Sequence, residues 1–294
     1  MIDADRGAKA VRDLINENGF KFTKSLGQNF LIDASIPEKI VMLSGIDESC
    51  GVLEVGPGIG ALTTELGRAA GRVVAVELDR RLLPVLHEKL KGHANVSVIQ
   101  GDILKLDVKE LVDTEMPGLS RHVCANLPYN ITTPTLTALI DSGVFETVTV
   151  MVQREVARRI CAKPGSPDYG SFTVYIDYHA EPETLFDVPP ECFMPRPKVH
   201  SSVVSMVLRK ERRLCPDDEK MFFRVVRASF AQRRKTLANS LCSSFGNIMK
   251  KDVIEDIIRN CGLDTRARGE TLGVDEFIVL SNCFKEAIKT SKTD

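Results

Sequence analysis

The sequence predicts an α/β protein: a mostly parallel, open sheet of seven strands with intervening helices, followed by a small all-α C-terminal region. Three observations predict it. Short apolar runs rich in valine alternate with stretches of helical spacing from Ile36 to Ile160, as in a parallel sheet covered on both faces. The first run, Val52-Leu53-Glu54-Val55, leads into Gly56-Pro57-Gly58-Ile59-Gly60 and a helix carrying Leu62 and Leu66. Beyond Lys210 strand-like runs cease, which divides the chain into residues 1–210 and 211–294.

In order along the chain, Ala8 to Asn18 places Val11, Leu14 and Ile15 at helical spacing, with Gly19 as a stop. The stretch from Phe20 to Asp33 mixes Lys21, Lys24, Gly27 and three phenylalanines outside any period. It reads as a packed arm, or as a segment that lays Asn29 and Leu31 on a cofactor. Ile36 to Ser44 is a helix opened by Pro37. Further strands are expected at Arg72 to Glu77, Val96 to Ile99, Val123 to Asn126, Thr147 to Val152, Ser171 to His179 and Val203 to Leu208. Helices are expected at Arg80 to Lys91, Pro134 to Ser142 and Gln153 to Ile160. A Pro-stiffened loop from Val188 to Ser202 presents Phe193, Arg196 and Lys198, and the two cations can meet RNA phosphates. Four helices then follow: Asp217 to Phe230, Thr236 to Leu241, Lys251 to Cys261 and Val274 to Lys289.

Four strand ends deliver residues suited to a ligand. Glycines at 56 and 58 let the backbone approach a bound group, and the following helix N-terminus favours negative charge. Gly56, Gly58 and Ala61 also satisfy the dinucleotide pattern G-x-G-x-x-G/A, so the turn alone does not separate a nicotinamide cofactor from S-adenosylmethionine. Glu77, 21 residues after Gly56, suits a bidentate bond to ribose hydroxyls of either. Asp102 is placed to accept an adenine amine, or else to form a turn after Gly101.

The fourth end is Asn126-Leu127-Pro128-Tyr129. An amide oxygen and the Pro128 carbonyl can hold a planar exocyclic amine while Tyr129 stacks on its ring, and Phe193 can serve as a second slab. The plainer alternatives are a Pro-containing turn with a helix cap, and a Phe193 packed into the core.

A net charge of −1 hides a local excess: residues 209 to 235 hold ten Lys or Arg against four acids. Arg227, Arg233, Arg234 and Lys235 fall in its densest part, a solvated helix face or a site for an RNA backbone. Eight scattered cysteines without a C-x-x-C pair read as reduced thiols in a cytoplasmic protein and give no metal site. Acids in the first twenty residues disfavour a signal or transit peptide, and no run is long enough for a membrane span.

Taken together, Gly27-Gln28-Asn29-Phe30-Leu31, Glu54-Val55-Gly56-Pro57-Gly58-Ile59-Gly60, Glu77, Gly101-Asp102, Asn126-Leu127-Pro128-Tyr129-Asn130-Ile131, the Phe193 loop and Phe230-x-Gln-Arg-Arg-Lys-Thr-Leu resemble the ribosomal RNA adenine dimethyltransferase family. The last segment is similar to its small-subunit branch; the Asn-Leu-Pro-Tyr and Phe-x-Pro-x-Pro motifs are shared with macrolide-resistance enzymes of the large subunit. The resemblance implies a Rossmann-like class I methyltransferase domain with a helical RNA-binding C-terminal domain, S-adenosylmethionine as donor, and no metal. It implies two neighbouring adenines in a hairpin loop near the 3' end of small-subunit rRNA, within a pre-30S particle, as acceptors; the protein itself is expected to be a monomer. Asn29, Leu31, Gly56, Gly58, Glu77, Asp102 and Asn126 are then expected at the donor, and Asn126, Pro128, Tyr129 and Phe193 at the target base. His200 departs from the family pattern, which commonly has an acid after Pro-Lys-Val. A large-subunit methyltransferase, a non-catalytic nucleic-acid-binding factor on the same scaffold, and an NAD-dependent oxidoreductase are the competing readings.

Overall fold

The computed structural model describes residues 28–211, 214–232 and 234–290. The expected helix from Ala8 to Asn18, the arm up to Gly27, and Arg233 lie outside the described residues. Two compact units form. One joins Pro182–Leu208 to the chain before Arg158, and the other joins Arg158–Glu181 to the chain from Arg209 onward.

The elements run β1 (Phe30–Leu31), α1 (Ser35–Ser44), β2 (Cys50–Val55), α2 (Ala61–Ala69), β3 (Arg72–Glu77), a 3-10 turn (Arg80–Leu82), α3 (Leu83–Lys89), β4 (Val96–Gln100), α4 (Val108–Glu115) and β5 (Ser120–Asn126). They continue with α5 (Thr132–Asp141), β6 (Thr147–Gln153), α6 (Arg154–Ile160), α7 (Ser171–His179), β7 (Ala180–Val188), β8 (Phe193–Met194) and β9 (Ser201–Leu208). Then come α8 (Glu219–Phe230), α9 (Leu237–Phe245), α10 (Lys251–Asn260) and α11 (Val274–Thr290).

The seven-stranded sheet of the first unit has the order β4-β3-β2-β5-β6-β9-β7. Strands β4 to β6 are parallel, and β9 runs antiparallel against β6. Every residue of β2 is buried, as is expected of a central strand covered on both faces. Leu62 and Leu66 of α2 pack in the same cluster as Val52 and Val73. The chain starts at β2, moves outward through β3 and β4, and returns to the other side of β2 for β5. That reversal opens a crevice beyond the carboxyl ends of β2 and β5, where open parallel sheets bind ligands.

One expected strand is a helix. Ser171–His179 is rich in aromatic and β-branched residues, which favour strands when taken alone, but it forms α7 and buries Thr173, Val174, Ile176 and Tyr178. A cap at its start decides the geometry: Thr173 Oγ1 accepts from the Gly170 amide at 3.1 Å and donates to the Arg159 carbonyl at 2.7 Å. The seventh strand is the segment after it, Ala180–Val188. Its Pro182 and acids are poor strand residues, tolerated because β7 lies at the sheet edge where a missing N–H breaks no ladder.

The second unit is helical and includes α7, so it is discontinuous in sequence and not a single block after residue 210. Tyr169, Val174 and Tyr178 share its core with Phe222, Phe245, Phe277 and Phe284. The four phenylalanines are completely buried, each contributing roughly 1.5–3 kcal/mol by burial. Asp218 caps α8 by accepting from the Met221 amide at 3.0 Å, and Thr236 begins α9. All eight cysteines are free thiols. Among the described residues no helix is long and apolar enough to cross a membrane.

Candidate active site at the strand tips

An open pocket lies beyond β2, β3, β4 and β5. Val55, Gly56 and Gly58 form one wall, and Val76, Glu77 and Leu78 the next. Gly101, Asp102 and Ile103 follow from β4, and Asn126 through Ile131 from β5; Gln28 and Asn29 reach in from the arm.

The glycine turn is built for close approach. Gly56, Gly58 and Gly60 all have positive φ, at 69°, 61° and 75°, a region that L side chains avoid. At Gly58 a Cβ would also lie 2.9 Å from the Phe30 ring. Glu77 is buried; its Oε2 accepts from the Gly58 amide at 3.1 Å and its Oε1 from the Asp79 amide at 2.8 Å. Burial holds its pKa above the ordinary carboxylate value, and those two amides oppose the rise only in part. The result is an oriented carboxylate stripped of much of its water, with lone pairs left for hydroxyl donors. Asp102 Oδ1 is tied to the Leu104 amide at 3.1 Å, and Oδ2 lies 3.5 Å from Lys105 Nζ. Leu78, 47% exposed, and Ile103 add apolar surface beside the two acids. An oriented carboxylate with lone pairs to spare, a turn with glycine at 56, 58 and 60, and an apolar slot suit a nucleoside such as S-adenosylmethionine.

Glu54, 1% exposed in β2, sits two residues before the turn, and its Oε2 has no hydrogen-bond partner. Burial is the main reason its carboxyl is pushed up to about 8; the Thr63 hydroxyl opposes this, the Glu77 charge adds to it, and Lys89 opposes it. The folded form therefore holds a proton that the unfolded chain releases near the ordinary carboxyl value of 4.5, so stability falls as pH rises between these values. Glu54→Gln is expected to stabilise the protein by roughly 2–4 kcal/mol at pH 8 and by little near pH 4.5. Denaturant titrations across that range check it; parallel stability curves for the two proteins would refute the assignment.

At the end of β5, Asn126 Nδ2 donates to the Asn29 carbonyl at 3.2 Å. The Tyr129 hydroxyl is 2.6 Å from Ser201 Oγ on β9, which fixes the ring, and burial raises its pKa. The Pro128 carbonyl has another task than the one expected of it: it accepts from the Ile131 amide at 3.2 Å and from Thr132 Oγ1 at 3.1 Å, starting α5.

Phe193 is not brought to the pocket. At 3% exposure it packs with Leu31, Cys192, Val188 and Val203. The β1–β8 pairing sets Leu31 opposite Phe193, so the Leu31 side chain also turns to the core and does not line the pocket.

Of the expected RNA contacts, Arg196 is paired with Glu191 on the surface, and Lys198 is exposed. In the helical unit Arg227, Arg234 and Lys235 are exposed. Phe230 beside them packs against Tyr169 and Phe277. Sequence reasoning singled out neither Leu78 nor Ile103, although each directly follows a strand-end acid, which is the available signal. Among the described residues no cluster of His, Cys, Asp or Glu could hold a metal ion.

The family profile described as ribosomal RNA adenine dimethylase matches residues 19–280. The ribosomal RNA small subunit methyltransferase A of Geobacillus sp. (strain WCH70) is 45% identical over 281 residues, spanning 95% of this chain and 97% of that protein. Its namesake from Shouchella clausii (strain KSM-K16) is 45% identical over 278 residues, 94% of either chain. A crystal structure of a dimethyladenosine transferase from Plasmodium falciparum shares the fold with a TM-score of 0.74 at 24% identity, covering 87% of this chain and 98% of that one. The 23S rRNA methyltransferase ErmE aligns with a TM-score of 0.66 at 27% identity, covering 87% of this chain and all of its own. A nucleoside cradle beside Asn-Leu-Pro-Tyr is thus accompanied by a profile match over most of the chain and relatives nearly half identical across it, and the chain belongs to the ribosomal RNA adenine dimethylase family.

Proposed function

We propose that this protein transfers methyl groups from S-adenosylmethionine to the exocyclic amines of two adjacent adenines in a hairpin loop near the 3' end of small-subunit rRNA. The observation that carries the reading is the meeting, in one pocket, of Gly56, Gly58, Glu77 and Asp102 with Asn126 and Tyr129.

The donor supplies a methyl group made electrophilic by its sulfonium. The chain's own work is to bind, orient and keep out water. Glu77 takes the ribose hydroxyls, Asp102 the adenine amine, and Leu78 with Ile103 the faces of the adenine ring, while Asn29 and Leu31 contribute main-chain groups. The acceptor amine is a poor nucleophile because its lone pair is delocalised into the ring, and holding both its hydrogens turns that pair toward the methyl. Asn126 Oδ1 is one acceptor. With the Pro128 carbonyl engaged by Ile131 and Thr132, the other is the neighbouring carbonyl of Leu127, which lines the pocket. Tyr129 stacks on the base. Phe193 joins as a second slab only where the target loop turns its ring out of the core. An adenine inside a duplex would not reach the pocket, so an unpaired or extruded base is the substrate.

Arg196, Lys198, Arg227, Arg233, Arg234 and Lys235 meet phosphates of a pre-30S particle, the enzyme acting as a monomer in the cytoplasm. Preference for the small subunit is supported by relatives of that name at 45% identity, against 27% for the large-subunit enzyme ErmE. Incubation with labelled S-adenosylmethionine and purified undermethylated subunits tests it. Label is expected in small subunits; label confined to large subunits, or none, would contradict it.

A further inference from the structure

Gln28 and Asp79 have no task in the reading above, yet they join two sides of the pocket. Gln28 Nε2 donates to Asp79 Oδ2 at 2.9 Å across 51 residues of chain. Asp79, 7% exposed, stands just past the tip of β3. Its carboxylate is saturated with donors: Arg81 gives its amide at 3.1 Å and Nε at 2.8 Å to Oδ1, and Nη2 at 2.6 Å to Oδ2. Arg81 is the main reason that this carboxyl stays below the ordinary range in spite of burial, with Gln28 adding to the effect.

The three residues after Gln28 each reach a different strand tip. The Asn29 carbonyl receives Asn126 Nδ2 at 3.2 Å, the Phe30 ring fills the space over Gly58, and Leu31 pairs with Phe193. An amide can present either its NH2 or its oxygen in a given direction, and a side-chain amide has little intrinsic preference between them. The Asn29 carbonyl accepts only the NH2 end. It therefore leaves Oδ1 of Asn126 for an incoming amine.

We infer that Gln28 and Asp79 are positioning residues: their hydrogen bond latches residues 28–31 across the strand tips, and that strap in turn sets the amide of Asn126 for the acceptor base. Asp79 also donates its main-chain amide to Glu77 Oε1 at 2.8 Å, so one residue aligns the ribose carboxylate and anchors the strap. Donor binding and acceptor orientation are thereby coupled through a four-residue segment. The inference rests on the assignment of Asn126 as the acceptor-orienting group, but its test does not.

The test reverses the polarity of the latch. Gln28→Glu alone sets two carboxylates against each other and opens the strap. Combined with Asp79→Asn it restores a donor and an acceptor, now exchanged; Arg81 Nε keeps the side-chain oxygen at position 79, and Nη2, which gave to Oδ2 beside Gln28, turns to the new carboxylate at position 28. In ligand-free protein, amide hydrogen exchange at residues 29–31 is expected to quicken by about tenfold in the single variant and to return to within about threefold of the parent in the double variant. The dissociation constant of S-adenosylhomocysteine, measured by calorimetry, is expected to follow the same course, about tenfold weaker and then recovered. A merely structural contact would lower the melting temperature without this reciprocal rescue. Unchanged exchange in the single variant, or a double variant as impaired as the single, would overturn the latch. A parent protein that fails to bind S-adenosylhomocysteine would instead strike the nucleoside reading of the pocket, and the exchange measurement would still decide the latch.

Discussion

Asn126→Ala is expected to lower methyl transfer by about 10³-fold while S-adenosylhomocysteine still binds within about threefold of the parent affinity. The split follows from where the side chain stands. Asn126 closes β5, and the donor's ribose is assigned to Glu77 at the end of β3, separated from β5 by β2 in the sheet. Removing the amide deletes an acceptor that acts on the target amine, and with it the alignment of a delocalised lone pair that water cannot supply. The strap loses one hydrogen bond to Asn126 but keeps Gln28–Asp79 and the β1–β8 pairing, so donor binding is retained. A variant with parental turnover, or one whose loss is entirely in donor affinity, would remove Asn126 from the reacting centre.

Glu77→Ala is expected to have the opposite signature: about 10²-fold weaker binding of S-adenosylhomocysteine, with that loss appearing in KM for the donor. Hydrogen bonds to a charged group contribute about 1.5–3 kcal/mol each, and a bidentate carboxylate on a ribose diol forms two. The substitution also strands the amides of Gly58 and Asp79, which now end on Glu77. The raised pKa adds a pH signature. Only the ionised carboxylate accepts from both hydroxyls, so donor affinity of the parent is expected to decline as pH falls toward the folded pKa, which lies above the ordinary carboxyl value of 4.5. In Glu77→Ala that slope is expected to vanish. A parent affinity flat across the acid range would contradict the role, as would a variant that binds normally.

Much of this site is legible in the residues because strand-tip chemistry is local. A glycine run after an apolar strand, an acid 21 residues later and an amide, proline and tyrosine in sequence each mark a strand tip within a few residues, and together they narrow a ligand that the glycine turn alone leaves open. The helices after residue 215 are legible for a similar reason, since apolar periodicity and caps such as Asp218 are encoded within a few residues. What resisted reading depends on partners distant in sequence. Ser171–His179 carries strand-like residues but is held as a helix by its Thr173 cap and by packing on Phe222, whereas Ala180–Val188 looks unlike a strand and is one because an edge tolerates Pro182. Phe193 was legible as an aromatic in a stiff loop, but its burial follows from pairing with Leu31, 162 residues earlier in the chain. The Gln28–Asp79 bond has the same character.

In the proposed reaction an adenine amine meets a donor methyl at the tip of β5. Mass-spectrometric mapping of small-subunit rRNA, taken from cells lacking this activity and incubated with the protein and S-adenosylmethionine, tests that most directly. Two adjacent N6,N6-dimethyladenosines near the 3' end, absent when Asn126→Ala is used, are the predicted result. Methyl groups on a ring carbon, a ribose or a different base, or an unchanged product pattern with Asn126→Ala, would contradict it.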